Sequence, residues 1–372
     1  MTISILKETN DNRVSMLPEQ ALALQKLNVT VVVEEGAGIN AFASDELFAA
    51  KNIKPVTRSQ ALQADVILSI NPLTENDVQG LNPQSVVVGA FQPLSNFKAL
   101  TKWNEKSVTA FSLDMIPRTT RAQSMDVLSS QANIAGYRAV LLAAGLYPRY
   151  FPMFMTAAGS IAPAKVLILG AGVAGLQAIA TAKRLGAVVE VFDTRPAVKE
   201  EVQSLGAKFI EVEGAADAST AGGYAVEQTE EYKQKQQQKI AEAVAKADVI
   251  ITTAQIPGRQ APILITEAAF NAMKPGSVIV DLAAATGGNT PFTKSNQTIT
   301  HNNVTIIGNS NLAAGMPVDA SKMYGKNVFN FLQLIITKEG SINLNFEDDI
   351  VKGCCILHEG KIVNERVAAL TP

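Results

Sequence analysis

The chain is poor in the residues that form disulfides and zinc sites. It has two cysteines among 372 residues, and they are the neighbours Cys354 and Cys355, which make poor disulfide partners. It also has two histidines and no Cys-x-x-Cys pair, so no metal site is expected. We predict that both histidines lie at the surface, His301 in a polar turn and His358 in the C-terminal tail. This cysteine usage is typical of a reducing compartment.

Long apolar runs and an excess of either charge are also missing. No apolar run reaches the ~18 residues that suggest a membrane span, and the N-terminal segment MTISILKETNDNR lacks the apolar core of a signal peptide. The net charge is −2, with 47% hydrophobic and 18% charged residues. This balance gives no indication of nucleic-acid binding. We therefore expect a soluble, globular chain whose membrane role, if it has one, depends on a partner.

The centre of the sequence reads as strand, glycine-rich turn and helix. Lys165–Leu169 is a short apolar run of the kind that is buried in a parallel sheet. At the G-x-G-x-x-G spacing that follows, the first glycine permits a tight turn, the second lets backbone approach a pyrophosphate, and the third lets the helix pack closely. The helix is predicted over Val173–Leu185, and the N–H groups of its first turn would face the phosphates. The residues concerned are Gly170, Gly172, Val173, Ala174 and Gly175.

An acid at the end of the next predicted strand completes this dinucleotide motif. Val188–Phe192 ends at Asp193, 18 residues after Gly175, where a carboxylate hydrogen-bonds the adenosine ribose. Asp193 favours NAD(H), because it would repel a 2′-phosphate. Arg195 argues in the other direction, since an arginine could accommodate that phosphate, and Thr194 lies between them. The alternative interpretation is a glycine-rich turn without a ligand.

Strand-like runs alternate with helical patterns on both sides of this stretch. The pattern predicts an α/β protein with two doubly wound, Rossmann-like domains and parallel sheets. We expect a discontinuous first domain, residues 1–128 plus 312–372, and an NAD(H)-binding domain, residues 129–311. The tail is predicted to hold strand-like fragments at Ile350–Val351 and Lys361–Val363. The runs of the first domain are Ile3–Leu6, Val29–Glu34, Val66–Ile70, Val86–Phe91 and Val108–Leu113.

Four further segments are rich in groups that could bind a ligand. Met115–Gly136 is a dense polar stretch, either a site or a linker in which Ser129 or Ser130 caps the following helix. Residues 213–225 form either a mobile lid or a disordered surface loop. The strand ends at residues 252–258 and 281–289 lie where a dinucleotide binds, and the glycines of the second would let the nicotinamide half approach backbone. Arg13 could bind a carboxylate, although a solvated turn residue is the favoured interpretation.

Several motifs together resemble the NAD(H)-binding component of proton-translocating nicotinamide nucleotide transhydrogenases. They are RAQSMDVLSSQANIAGYRAV, GAGVAGLQAIATAKRLGA, VFDTRP, TAGGYA, ITTAQIPGR and KPGSVIVDLA, and they cover most of the chain. Alanine dehydrogenase has the same architecture. The resemblance implies direct hydride transfer between NAD(H) bound here and NADP(H) on a partner component.

The resemblance also implies roles for individual residues. It places Arg118, Gln123, Asp126 and Ser129 against the nicotinamide, its ribose and the pyrophosphate, with Gln123, Asp126 and Arg118 as the catalytic set. It places Tyr224 on a mobile loop that closes over the nucleotide. The implied cofactor-binding set is Arg118, Gln123, Asp126, Ser129, Gly170, Gly172, Val173, Ala174, Gly175, Asp193, Thr194, Arg195, Tyr224, Gln255 and Leu282.

The implied assembly is a homodimer that docks on a membrane-embedded proton-channel subunit. The protein would then be cytoplasmic and peripheral on the inner face of the cell membrane. An alanine-dehydrogenase-like enzyme is the alternative, because that family resembles this chain at Arg13. It uses a Lys and a His in two strand-end turns, however, where this chain has Asn71 and Gln92 among other residues. A third hypothesis is a non-catalytic NAD(H) sensor.

Overall fold

The computed structural model describes residues 1–212, 214, 229–256 and 258–370. In chain order the strands are β1 (Thr2–Ile5), β2 (Thr30–Glu34), β3 (Lys54–Val56), β4 (Val66–Leu68), β5 (Val86–Gly89), β6 (Thr109–Ser112), β7 (Phe154–Thr156), β8 (Gly159–Ile161), β9 (Lys165–Leu169), β10 (Val188–Phe192), β11 (Lys208–Phe209), β12 (Val249–Thr252), β13 (Val278–Asp281), β14 (Thr298–His301), β15 (Val304–Ile307), β16 (Cys355–His358) and β17 (Lys361–Ile362). The helices are α1 (Pro18–Gln25), α2 (Asp45–Ala49), α3 (Arg58–Ala61), α4 (Glu75–Gln79), α5 (Pro93–Leu100), α6 (Val127–Leu146), α7 (Val173–Arg184), α8 (Lys199–Ser204), α9 (Glu230–Val244), α10 (Glu267–Asn271), α11 (Pro317–Ile335), α12 (Asp349–Cys354) and α13 (Glu365–Ala368).

The chain divides into two compact units. The first unit comprises residues 1–131 and 314–372, and the second comprises residues 132–313. The long helix α6 therefore has its first residues in the first unit and the rest in the second. Each unit contains a sheet of mainly parallel strands, which confirms the predicted α/β class with two doubly wound, Rossmann-like sheets.

The sheet of the first unit has the strand order β17-β16-β6-β5-β4-β1-β2-β3. Pairing is parallel from β3 to β6, whereas β16 runs antiparallel to β6. The chain order reverses at β1, which lies between β2 and β4. In doubly wound sheets ligands bind at the carboxyl ends of the strands beside such a reversal. In this unit those ends are followed by residues 6–13 and 69–72.

The sheet of the second unit has the strand order β11-β10-β9-β12-β13-β15-β14. Its reversal lies at β9, which pairs in parallel with β10 on one side and β12 on the other. Alternate residues of β9 face opposite layers of the core, with Val166 and Ile168 in one cluster and Leu167 and Leu169 in the other. This two-sided burial explains why the strand is apolar without alternation. The glycine-rich turn follows β9 directly and so lies at the reversal.

Two hairpins at the sheet edges differ from the predicted parallel arrangement. The β14–β15 hairpin turns through Asn302 and Asn303, whose φ angles are 48° and 58°. The β16–β17 hairpin turns through Glu359 and Gly360, with φ of 47° and 75°. Two residues with positive φ form the tight turn whose twist matches an antiparallel pair. Asparagine tolerates that backbone, so the Asn302-Asn303 pair is a sequence signal for a hairpin turn.

Two local predictions were also wrong. His301 is the last residue of β14, half-buried with its ring stacked on Phe292 at 4.1 Å, and is not in a polar turn. Ile350 and Val351 lie in α12 and not in a strand, because the Asp348 carboxylate accepts both of their N–H groups and so begins a helix. Lys361–Ile362 is a strand as predicted.

The described part of the chain has no helix with the length and apolarity required to cross a membrane. Cys354 and Cys355 are both buried as free thiols. Burial raises the pKa of the Cys355 thiol to about 12.

Candidate functional site

The glycine-rich turn after β9 requires glycine at its first and third positions for reasons of space and backbone. Gly170 has φ of 106°, a conformation that L side chains rarely adopt. A Cβ atom on Gly175 would lie 1.9 Å from the carbonyl oxygen of Gly170. Helix α7 therefore packs directly on the end of β9, as the sequence spacing predicted.

The second glycine leaves open space at the start of α7. Gly172 is the N-cap residue of α7 and provides no side chain to hydrogen-bond the first turn. A Cβ atom built on Gly172 meets nothing within 4 Å. The next residue, Val173, is 40% exposed. The N–H groups of this turn are thus not covered by a capping side chain, and such a helix start attracts an anion such as a pyrophosphate.

Asp193 stabilises the glycine-rich turn from the adjacent strand. Its carboxylate accepts a hydrogen bond from the Ala171 N–H at 2.7 Å. It also forms a two-pronged ion pair with Arg195, with Nε–Oδ1 and Nη2–Oδ2 distances of 2.9 and 2.7 Å. The Asp193 carboxylate raises the pKa of the Arg195 guanidinium. Thr194, between them, is half-buried.

The ends of β12 and β13 are joined by the amide side chains that follow them. The Gln255 Nε2 donates to the Leu282 carbonyl at 2.7 Å, so these two predicted residues lie together. Asn289 is fully buried, and its Nδ2 donates to the carbonyls of Ala254 and Pro262. These bonds hold the two loops side by side at the carboxyl edge of the sheet.

The glycines after β13 are required by the fold of their own loop. A Cβ atom on Gly288 would lie 2.5 Å from the side chain of Thr293 and 2.8 Å from Oδ2 of Asp281. Gly287 and Gly288 have φ of 107° and 83°. Glycine is needed here because the loop folds onto its own residues. The expectation that these glycines also let the nicotinamide half approach backbone stays a prediction.

In the first unit, Asp126 and Ser129 are brought together at the start of α6. The Asp126 carboxylate accepts the Ser129 N–H at 2.9 Å and the Ser129 Oγ–H at 2.6 Å. This is the geometry of an aspartate N-cap, so the predicted cap by Ser129 or Ser130 was wrong. Arg118 and Gln123 precede this cap and are exposed. Gln123 lies on a short 3₁₀ helix, Thr120–Met125.

Arg13 is not a solvated turn residue, and that expectation was wrong. Its side chain is 8% exposed and forms an ion pair with Asp11 at 2.6 Å. Its Nη1 donates to Oε1 of Gln131 at 2.8 Å. Asp11 also accepts the Asn71 Nδ2 at 3.2 Å. The Asp11 carboxylate thus occupies the Arg13 guanidinium group. An alanine dehydrogenase would need that group for the carboxylate of its substrate.

Sequence reasoning missed this buried polar cluster, which also includes Glu8. The Glu8 carboxylate accepts the N–H groups of Ile70 and Asn71 at 2.6 and 3.1 Å. Burial raises the pKa of Glu8. The sequence does contain a signal for this cluster, because polar residues follow both β1 and β4, the two strands at the reversal of the first sheet.

Neither histidine lies at that carboxyl edge. His358 is half-buried at the end of β16, and its Nδ1 lies 3.0 Å from Oγ1 of Thr109, the first residue of β6. Since β6 is parallel to β5 and to the strands beyond it, His358 lies at the amino ends of those strands. His301 belongs to β14 in the second unit. Tyr224 and the predicted lid lie outside the described residues, except for Gly214.

Comparison with known proteins agrees with this architecture. Residues 4–135 match the family description "Alanine dehydrogenase/PNT, N-terminal domain", and residues 139–365 match "Alanine dehydrogenase/PNT, C-terminal domain". The chain is 44% identical, over 376 aligned residues, to a component of NAD(P) transhydrogenase subunit alpha of Rhodospirillum rubrum, and the alignment covers 98% of both proteins.

Solved structures give the same result. The crystal structure of transhydrogenase from Sinorhizobium meliloti superimposes with a TM-score of 0.90 and 43% identity, over 98% of this chain and 100% of that one. An L-alanine dehydrogenase structure superimposes with a TM-score of 0.82 over 99% of this chain and 98% of that one, at 21% identity, which shows a shared fold alone. The chain therefore belongs to the alanine dehydrogenase/PNT family, and within it to the NAD(P) transhydrogenase alpha subunits.

Proposed function

We propose that the second unit binds NAD(H) at the turn between β9 and α7. The observation that carries the proposal is the helix start at Gly172, which lacks a capping side chain beside a turn held by a buried aspartate. Backbone N–H groups of the first turn of α7 would hold the pyrophosphate. The proposed contacts of this unit are Gly170, Gly172, Val173, Ala174, Gly175, Asp193, Thr194, Arg195, Tyr224, Gln255 and Leu282.

We infer a preference for NAD(H) over NADP(H) from the Asp193–Arg195 pair. The carboxylate would hydrogen-bond ribose hydroxyls and repel a 2′-phosphate. Arg195 was the one residue that favoured NADP(H), and its guanidinium group donates two hydrogen bonds to the Asp193 carboxylate. Its charge is therefore offset by a neighbouring carboxylate.

We propose that the polar loop of the first unit serves the nicotinamide end of the nucleotide. By resemblance, Arg118, Asp126 and Ser129 would contact the nicotinamide ribose and pyrophosphate, and Gln123 would reach towards NADP(H) on a partner component. Bound NAD(H) supplies or accepts the hydride. The side chains would orient the ring and exclude water, which are the tasks that a direct transfer leaves to the protein.

This assignment needs no general acid or base on the chain. Reduction of an imino acid, by contrast, needs a proton donor and a cation for the substrate carboxylate. Arg13 is engaged by Asp11 and Gln131, and His358 lies at the opposite end of the strands. The alanine-dehydrogenase alternative is therefore disfavoured, although the family contains such enzymes.

We further propose that the protein acts as a homodimer on a membrane-embedded proton-channel subunit, cytoplasmic and peripheral on the inner face of the cell membrane. A hairpin of the second unit supports the dimer. It comprises β7 and β8; Met153, directly before β7, and Met155, within it, are 63% and 72% exposed. Tyr150 and Phe154 stack beside them at 5.2 Å, both half exposed. Such apolar surface is typical of an interface between subunits.

The test of the function is an activity measurement with the chain alone and in mixture. Hydride transfer from NADPH to a spectrally distinct NAD⁺ analogue is expected only when a purified NADP(H)-binding transhydrogenase component is added. Oxidation of NADH with pyruvate and ammonium, and no transfer in the mixture, would instead establish the amino-acid dehydrogenase. NADH binding without either activity would favour a sensor.

A further inference from the structure

The loop that carries Gln123 is held by side chains from distant parts of the first unit. Within its 3₁₀ helix, Ala122 and Met125 are 2% and 6% exposed, so they anchor the inner side of the loop, while Gln123 points outward and is exposed. Three polar attachments surround Gln123 in sequence, at residues 121, 124 and 126.

The first attachment is a double ion pair made by Arg121. Its Nη1 and Nη2 each donate to one oxygen of Asp348 at 2.7 Å, and Nη2 also donates to Asp349. Asp348 is itself fixed, because its carboxylate accepts the N–H groups of Ile350 and Val351 at the start of α12. The fork geometry restrains both the position and the rotation of the arginine.

The second attachment is made by two amides on one helix. The Nδ2 groups of Asn327 and Asn330 both donate to the carbonyl oxygen of Ser124, at 2.8 and 2.9 Å. The two residues are three positions apart on α11, hence on the same face. Ser124 directly follows Gln123, so these amides fix the backbone on its C-terminal side, and the Asp126 cap fixes the next residue but one.

We propose that Arg121, Asn327, Asn330 and Asp348 are positioning residues that preorganise Gln123 for hydride transfer. The inference rests on the proposed function, because it gives Gln123 a role across the interface with the NADP(H)-binding component. It adds that the four side chains act on the reaction through the loop that carries Gln123 and not through contact with nucleotide. Small displacements of a group that orients reactants are costly, of the order of 100-fold in rate for ~1 Å.

The test compares Arg121→Gln and Asn330→Ala with two matched controls. Asn82→Ala removes another exposed Asn-to-carbonyl bond of the first unit, to Gln63 at 2.6 Å. Lys208→Gln removes an exposed ion pair to Glu190. Each protein is assayed for NADH affinity, thermal unfolding, and the turnover of hydride transfer with the NADP(H)-binding component.

We expect each loop variant to lower turnover about tenfold, a fraction of the cost of a ~1 Å displacement, with NADH affinity within about twofold of wild type and both controls unchanged. In a Gln123→Ala background, Arg121→Gln should cause almost no further loss, because a positioning residue has nothing left to position. The same fold loss with and without Gln123 would overturn the proposal, as would unchanged turnover in both loop variants. Loss of turnover that merely follows loss of thermal stability would also overturn it. Absence of hydride transfer by the wild-type mixture would instead refute the proposed function itself.

Discussion

Gly172→Ala tests the proposed pyrophosphate site with little effect on the fold. Gly172 has φ of −78° and ψ of −169°, a backbone that alanine adopts readily, and the added methyl group meets no protein atom within 4 Å. Glycine and alanine differ as N-cap residues by about 1 kcal/mol at most. For a chain of this size that corresponds to a decrease in Tm of less than about 4 °C.

The effect on nucleotide binding should be much larger. The methyl group would occupy the open space at the start of α7 and displace the pyrophosphate from the helix N–H groups. A hydrogen bond to a charged group contributes about 1.5–3 kcal/mol, so loss of one such bond weakens NADH binding by about 10- to 150-fold. The assay is an equilibrium titration of NADH fluorescence, beside a thermal unfolding curve of the same sample.

Two further glycines provide controls. Gly145, within α6, also has nothing within 4 Å of the position that an added methyl group would take, so Gly145→Ala should leave NADH affinity unchanged. Gly175→Ala should damage the fold, because its Cβ would lie 1.9 Å from the Gly170 carbonyl oxygen. NADH affinity that is unaffected by Gly172→Ala would refute the placement of the pyrophosphate at this turn.

Three other predictions concern the polar residues. Asp193→Asn retains an oxygen for the Ala171 N–H and should weaken NADH binding by about 1–3 kcal/mol. It should also narrow the preference for NADH over NADPH, since it leaves Arg195 available to a 2′-phosphate. Titrations with both nucleotides check this, and an unchanged preference would contradict it. Gln123→Ala should leave NADH affinity nearly intact and slow hydride transfer in the mixture; equal losses of binding and turnover would remove the proposed role. The Arg121 guanidinium lowers the pKa of Asp348, so Arg121→Gln should raise that pKa towards its ordinary value of about 3.9. Because the folded-state pKa of Asp348 is lowered, the ion pair stabilises the protein above about pH 4 and is lost as the pH falls through the lowered pKa; a carboxyl NMR titration that gives the same pKa in both proteins would contradict this.

The sequence predicted the fold best at positions where only one structural requirement explains the residue type. The spacing of Gly170, Gly172 and Gly175 predicted the turn and helix of the second unit, because only glycine fits the first and third positions. Apolar runs buried on both faces predicted the parallel sheets. These are local constraints, readable within about thirty residues.

Prediction failed where a partner comes from a distant part of the chain. Arg13 was expected in solvent because its burial depends on Asp11, on Gln131 118 positions away, and on strands that fold around them. The attachments of the Gln123 loop come from residues more than 200 positions away. The return of Thr293 onto Gly288, which makes glycine necessary after β13, has no sequence signal either.

The most direct test of the central claim is an isotope-transfer measurement. NADPH carrying deuterium at the transferred C4 position is incubated in ordinary water with the NAD⁺ analogue, this protein and the NADP(H)-binding component. Direct transfer predicts that the reduced analogue retains the deuterium completely, and that omission of either protein abolishes the product. Reduced analogue without deuterium would show exchange with solvent and would contradict the account.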